Sequence, residues 1–174
     1  MRKVIIFFIL LASFSNVYSQ KSIAELYTAY TVIRTTNNNK LAAIDLAINI
    51  LKRSSELTNS QIANLNFNLG RLYEETMEEE KAVPYYESSL ILALNYYVTH
   101  RALGSVYVKR SDPIVKINSK ALPHLEKAQA CEPDGQSLKQ IINLYKNIKN
   151  LAAFGTLYAR LKKHAVSCID LLDD

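Results

Sequence analysis

Two pairs of side chains have the types and spacing to do chemistry. His164 and Cys168 stand four residues apart, which on a helix puts an imidazole and a thiolate on one face, a start toward a zinc-type site. A metal ion needs a matching second pair, and His100 and His124 are isolated in the sequence, so no metal site is expected. Cys131 and Cys168 are the only two cysteines, and an oxidising compartment would permit a bond between them. If each lies near a helix end, the two are more often too far apart to bridge, and separate thiols are favoured over a disulfide. There is no Gly-rich phosphate loop, no nucleophile elbow and no paired-carboxylate pattern above background. The chain is therefore not expected to be an enzyme, and no catalytic residue or cofactor is assigned.

The remaining chemistry is that of binding. At about 100° per residue, Asn64, Phe67, Asn68, Arg71 and Glu75 share one side of a helix, opposite Asn66, Leu69, Gly70 and Tyr73. Val98, Arg101, Ala102, Ser105 and Lys109 take the equivalent places one helix pair later. Asparagine amides can pair with an extended peptide backbone, the two arginines can hold a carboxylate, and Phe67 offers an apolar anchor. The competing reading is an ordinary solvated face, with Phe67 packed on the next unit. The glutamate run (Glu74, Glu75, Glu78, Glu79, Glu80) reads as a charged helix start rather than a site.

The elements that must position these residues are helices. Apolar periodicity predicts them over 22–35, 40–53, 61–76, from 79 or 80, 95–109, 120–131, 136–149 and 151–171. Asn37-Asn38-Asn39, Thr58-Asn59-Ser60, Ser111-Asp112-Pro113 and Glu132-Pro133-Asp134-Gly135 punctuate them. Pro84 is tolerable only in a first turn. The stretch before Lys120 reads as a basic insertion, with Lys109, Arg110, Lys116 and Lys120 around Ile114, Val115 and Ile117. A solvated loop is favoured there over a contact surface. Short connections predict antiparallel neighbours.

Leu69-Gly70-Arg71-Leu72-Tyr73 is echoed by Leu103-Gly104-Ser105-Val106-Tyr107, and Lys81-Ala82-Val83-Pro84 by Lys120-Ala121-Leu122-Pro123. A period of about 34 residues marks stacked helical pairs. The two central units resemble the tetratricopeptide repeat (TPR) family. Leu69, Gly70 and Tyr73, then Leu103, Gly104 and Tyr107, fit its first helix. Ala82, Tyr86 and Ser89, then Ala121, Leu125 and Ala128, fit its second, and Pro133 closes the later unit. The flanking pairs match loosely, as terminal caps of such arrays do. Asn66 and His100 depart from the pattern, standing where the family often has a large aromatic.

The resemblance implies an all-α, right-handed α-solenoid of antiparallel helical hairpins, about four units and eight helices. It implies a protein or peptide partner in a concave groove lined by Asn64, Phe67, Asn68, Arg71, Arg101, Ser105 and Lys109. The chaperone-tail clamp of some family members is rejected, because Thr28, Val32, Val98 and Ala102 occupy its positions and Asn68 alone fits. The alternative is a self-associating envelope protein that uses Leu157, Leu161, Ile169, Leu171 and Leu172 of its last helix.

Residues 1–19 read as a secretory signal peptide: Arg2 and Lys3, an apolar run Val4–Ala12 too short to span a bilayer, then Val17 and Ser19 as cleavage-site residues. Residues 20–174 would form a single TPR-like domain, periplasmic or secreted, similar to small exported bacterial repeat proteins, with no stable membrane span once the signal is removed. The formal charge of +5 is mixed along the chain, and part of it belongs to the signal, so nucleic acid is not an expected partner.

Overall fold

The computed structural model describes residues 21–36, 39–109 and 114–171. The expected signal peptide, Arg110 and Leu172 lie outside these residues, as do the side chains of residues 114–118. The helices are α1 (Ile23–Thr36), α2 (Lys40–Leu51), α3 (Asn59–Glu75), α4 (Glu79–Leu92), α5 (Tyr97–Lys109), α6 (Ile114–Cys131), α7 (Gly135–Asn147), α8 (Leu151–Gly155) and α9 (Leu157–His164). A 3-10 turn, Ser54–Glu56, follows α2. The fold is all-α among the described residues, and no described helix is long and apolar enough to cross a membrane.

The polar breaks in the sequence become caps. Thr58 and Gln61 form a reciprocal capping box at the start of α3. Asn39, Asp134 and Asn150 accept from the first-turn amides of α2, α7 and α8. At the end of α3, Met77 turns left-handed (φ 62°), Glu78 N–H reaches Tyr73 O at 2.8 Å and Met77 N–H reaches Glu74 O at 3.1 Å. Lys149 repeats this arrangement after α7 (φ 53°), with Asn150 N–H on Tyr145 O at 3.2 Å.

The chain divides into two compact units at Leu57 and Thr58. In the first, α1 packs on α2. Leu26 and Tyr30 of α1 and Ala43, Ile44, Ala47 and Ile50 of α2 are buried. In the second, α3 packs on α4 and α5 on α6 most extensively, with α7 and α9 also against α6. The two repeated glycines explain these close pairs. A Cβ on Gly70 would sit 2.6 Å from Cδ1 of Tyr86 in α4, and one on Gly104 would sit 2.8 Å from Cγ of Leu125 in α6. Only hydrogen fits at either place, so each Leu-Gly lets a ring or branched side chain of the partner helix lie on bare backbone.

Three expectations fail. α6 begins at Ile114, six residues earlier than the periodicity suggested, so the basic insertion is partly helical. Ser111-Asp112-Pro113 serves as well for a helix start as for a stop. Pro123 therefore lies beyond the first turn of α6, and Pro84 lies beyond the first turn of α4, which begins at Glu79. Each ring removes one ladder bond, offset by buried neighbours such as Ala82, Val83 and Tyr86, or Ala121, Leu122 and Leu125. The last helix ends at His164 and is interrupted at Thr156, giving nine helices among the described residues rather than eight. Residues beyond Ala165 include β-branched Val166 and Ile169, and Ile169 pairs with Tyr96 in an isolated parallel bridge.

Candidate functional site

α3, α5 and α7 of the second unit enclose a concavity of about 460 Å³. Phe67, Arg71 and Glu74 line it from α3; Val98, Arg101, Ala102, Ser105, Val108 and Lys109 from α5; Gln136 and Gln140 from α7. Of the seven residues assigned to the groove, five thus surround one space: Phe67, Arg71, Arg101, Ser105 and Lys109. The α7 glutamines were missed, although the same angular argument carried one helix pair further would have reached them.

Asn64 and Asn68 are not on an open face. Both are buried. The Asn68 amide donates to Oδ1 of Asn64 at 2.7 Å, and the Asn64 amide donates to the main-chain O of Leu171 at 2.7 Å. The chain's own C-terminal segment thus meets Asn64 directly, and Asn68 pairs behind it. Phe67 is buried too, its ring centroid 5.4 Å from that of Tyr96 and 6.1 Å from that of Tyr86. Both guanidinium groups face carboxylates of the chain itself. Arg101 donates to the Glu132 carboxylate at 2.5 Å and to its main-chain O at 2.8 Å, and Arg71 lies 3.5 Å from Glu74.

Glu74 is more than part of an acidic helix start. Its side chain is buried, accepts from the Tyr86 hydroxyl, and lies 3.2 Å from Nζ of Lys109. Lys109 is also 3.8 Å from Glu79. Burial and this carboxylate push the Tyr86 phenol far up. The cavity wall is therefore an alternation of paired charges, with amide and hydroxyl groups from Gln136, Gln140 and Ser105 between them.

The sequence-distant histidines meet. Nδ1 of His100 lies 2.8 Å from Nδ1 of His124, and Nε2 of His100 lies 2.8 Å from Leu94 O. A carbonyl can only accept, so His100 carries its proton on Nε2 and His124 donates between the rings. Burial, then the neighbouring His100, pushes His124 down to about 4; burial lowers His100 as well. The sign follows from linkage: below the ordinary value of 6.5 the unfolded chain binds protons that the folded pair refuses. Stability should be level above pH 6.5 and decline by about 3 kcal/mol toward pH 4. Urea midpoints of wild type and His124→Phe between pH 7.5 and 4 check this, since the variant should lose that part of the decline.

His164 and Cys168 do not share a helix, because α9 ends at His164. The separate-thiol expectation also fails. Cys131 and Cys168 form a disulfide with Cα atoms 5.5 Å apart. The expectation placed both cysteines at helix ends; only Cys131 is at one, and Cys168 sits in the returning segment. Among the described residues no group of three or more His, Cys, Asp or Glu is placed to hold a metal ion. Of the residues assigned to a self-association face, Leu157 and Leu171 are buried within the chain. No protein-family model matches the sequence, and a comparison with curated proteins returns no match.

Proposed function

We propose that the chain is a TPR-like right-handed α-solenoid of antiparallel hairpins, and that it binds a protein or peptide partner in the concavity between α3, α5 and α7. The observation that carries this reading is the gathering of Phe67, Arg71, Arg101, Ser105 and Lys109 around one space of about 460 Å³. The matching close approaches at Gly70 and Gly104 support a structural repeat beneath the sequence repeat. Paired charges around an amide-lined centre suit a partner that brings its own hydrogen-bonding main chain, rather than a single strong anion. The disulfide fits an exported protein in an oxidising compartment, periplasmic or secreted.

Ser105 is the residue to test, because no ion pair depends on it and it faces the cavity. Selection of the oxidised protein against a displayed peptide library should enrich a related set of sequences. Ser105→Trp should fill the space and weaken the enriched peptides at least about tenfold, the effect of losing roughly 1.4 kcal/mol. No enrichment, or equal binding by the variant, would refute the reading. A second reading, self-association, has support in the exposure of Leu151, Phe154 and Tyr158 on α8 and α9. Sedimentation across a concentration series would reveal it.

A further inference from the structure

The segment after α9 is held by its main chain. Nζ of Lys127 donates to Ser167 O at 2.7 Å and to His164 O at 2.9 Å. Ile169 N–H donates to Asn95 O at 2.9 Å, and Tyr97 N–H donates to Ile169 O at 3.2 Å. Asn64 donates to Leu171 O. The carbonyls of 167, 169 and 171 are thus all engaged, the alternation an extended strand presents along one edge. Residues 165–170 are exposed, and Leu171 is the one described side chain of the segment that is buried. The Tyr97 hydroxyl donates to the Asp170 carboxylate at 2.9 Å.

This is how a binding site reads an extended peptide: backbone bonds on alternate residues, one apolar anchor, one side-chain contact. It adjoins the cavity, since Asn64 and Asn68 flank Phe67 on α3, and Tyr97 precedes Val98 and Arg101 on α5. We propose that this face of the second unit is a site for an extended partner segment carrying an Asp-Leu pair, that Ala165–Leu171 is its built-in occupant, and that the Cys131–Cys168 bond controls the exchange of one for the other. The proposal rests on the groove reading and extends the partner's contact from the cavity, which stays open with the disulfide intact, to this adjoining face, which opens only on reduction.

With the bond intact, Cys168 is tied to the end of α6, and Ser167–Leu171 cannot leave the face. Cys168 is exposed and within reach of a reductant. A thiolate of an external dithiol attacks one sulfur and forms a mixed disulfide, and the other cysteine leaves as a thiolate and takes a proton. The second thiol of the reductant then closes on the mixed disulfide. Cys131 and Cys168 end as two thiols, and the dithiol ends as its cyclic disulfide, a transfer of two electrons and two protons. The freed segment still competes at a high local concentration set by its short tether, so a partner must match its chemistry to displace it.

The test uses the full chain and a fluorescent, amidated peptide with the sequence of residues 165–171, serine replacing the cysteine. Binding is followed by anisotropy to oxidised wild type, to Cys131→Ser/Cys168→Ser, and to the same double variant with Leu171→Asp, which weakens the occupant in place. Thermal melts by circular dichroism confirm that each is folded. Binding should be absent from the oxidised protein, measurable in the double variant, and at least about tenfold tighter in the triple variant. A dithiol should bring wild type to the level of the double variant, and a peptide with Asp170→Ala or Leu171→Asp should bind less. Equal binding by all three proteins, or binding by none, would overturn the proposal. Dimerisation of the double variant that excludes the peptide would overturn it in favour of segment exchange between two copies. Failure of the groove reading is seen separately, because the Ser105→Trp comparison uses the oxidised protein.

Discussion

Gly70→Ala is expected to destabilise the second unit by about 3 kcal/mol. The added carbon would fall 2.6 Å from Cδ1 of Tyr86, well inside van der Waals contact. The ring has little freedom to yield. It is fully buried, and its hydroxyl is held by the Glu74 carboxylate, which also draws Lys109 at 3.2 Å. Either α3 and α4 separate or the ring rotates and breaks that set of bonds. Chemical denaturation gives the measurement, and two companions make it specific. Gly155→Ala has nothing within 4 Å of the new carbon and should change stability by less than about 0.5 kcal/mol. Gly70→Ala/Tyr86→Leu should be less destabilised than the sum of its two single changes, because the shorter side chain removes the clash. A single Gly70→Ala indistinguishable from wild type would mean the two helices do not approach this closely.

Glu126→Ala should cost a similar amount, about 3 kcal/mol. Glu126 is buried in α6, where it accepts from the Tyr145 hydroxyl and from Arg160 Nε at 2.9 Å and Nη2 at 3.0 Å. Arg160 also donates to the Tyr145 oxygen at 2.6 Å and to Ala153 O at 2.7 Å. Burial, with the Glu126 carboxylate, pushes the Tyr145 phenol up to about 12. Removing the carboxylate leaves a phenol and a guanidinium without their shared acceptor. The Arg160 side chain keeps 30% of its exposure and can recover some hydration, which holds the loss below the top of the range for buried pairs. Glu126→Gln should cost less, since the amide oxygen still accepts. The exposed pair Arg53–Glu56 is the contrast, and Glu56→Ala should cost much less than Glu126→Ala. If Glu126→Ala proves as mild as Glu56→Ala, the network does not hold α9 to α6.

The helices were legible where a cap and an apolar period coincided. Thr58 with Gln61, and Asp134 before Gly135, announce α3 and α7 in the sequence because capping is a local matter of a few residues. The beginning of α6 was not legible, because Asp112-Pro113 carries the same chemistry at a helix start and at a stop. Angle alone brought Phe67, Arg71, Arg101, Ser105 and Lys109 to one cavity, since residues on one face of neighbouring helices need no long-range information. The same argument misplaced Asn64 and Asn68, because it assumes that one side of a helix sees solvent. What meets Asn64 is Leu171, 107 residues away in sequence, and helical periodicity carries no trace of so distant a contact. The disulfide and the His100–His124 pair were missed for the same reason.

Stacked helical pairs ordinarily behave as a one-dimensional chain, each touching only its neighbours, so that either end can fray while the middle stands. The bond from Asn64 to Leu171 removes that freedom from the second unit. Its last described residue completes the surface of its first helix, so the two are tied to one another. α3 cannot open without releasing the C-terminal segment, and that segment cannot lift without uncovering α3. Amide hydrogen exchange should therefore give Asn64, Tyr97 and Ile169 a common opening free energy, the signature of a block that melts all at once.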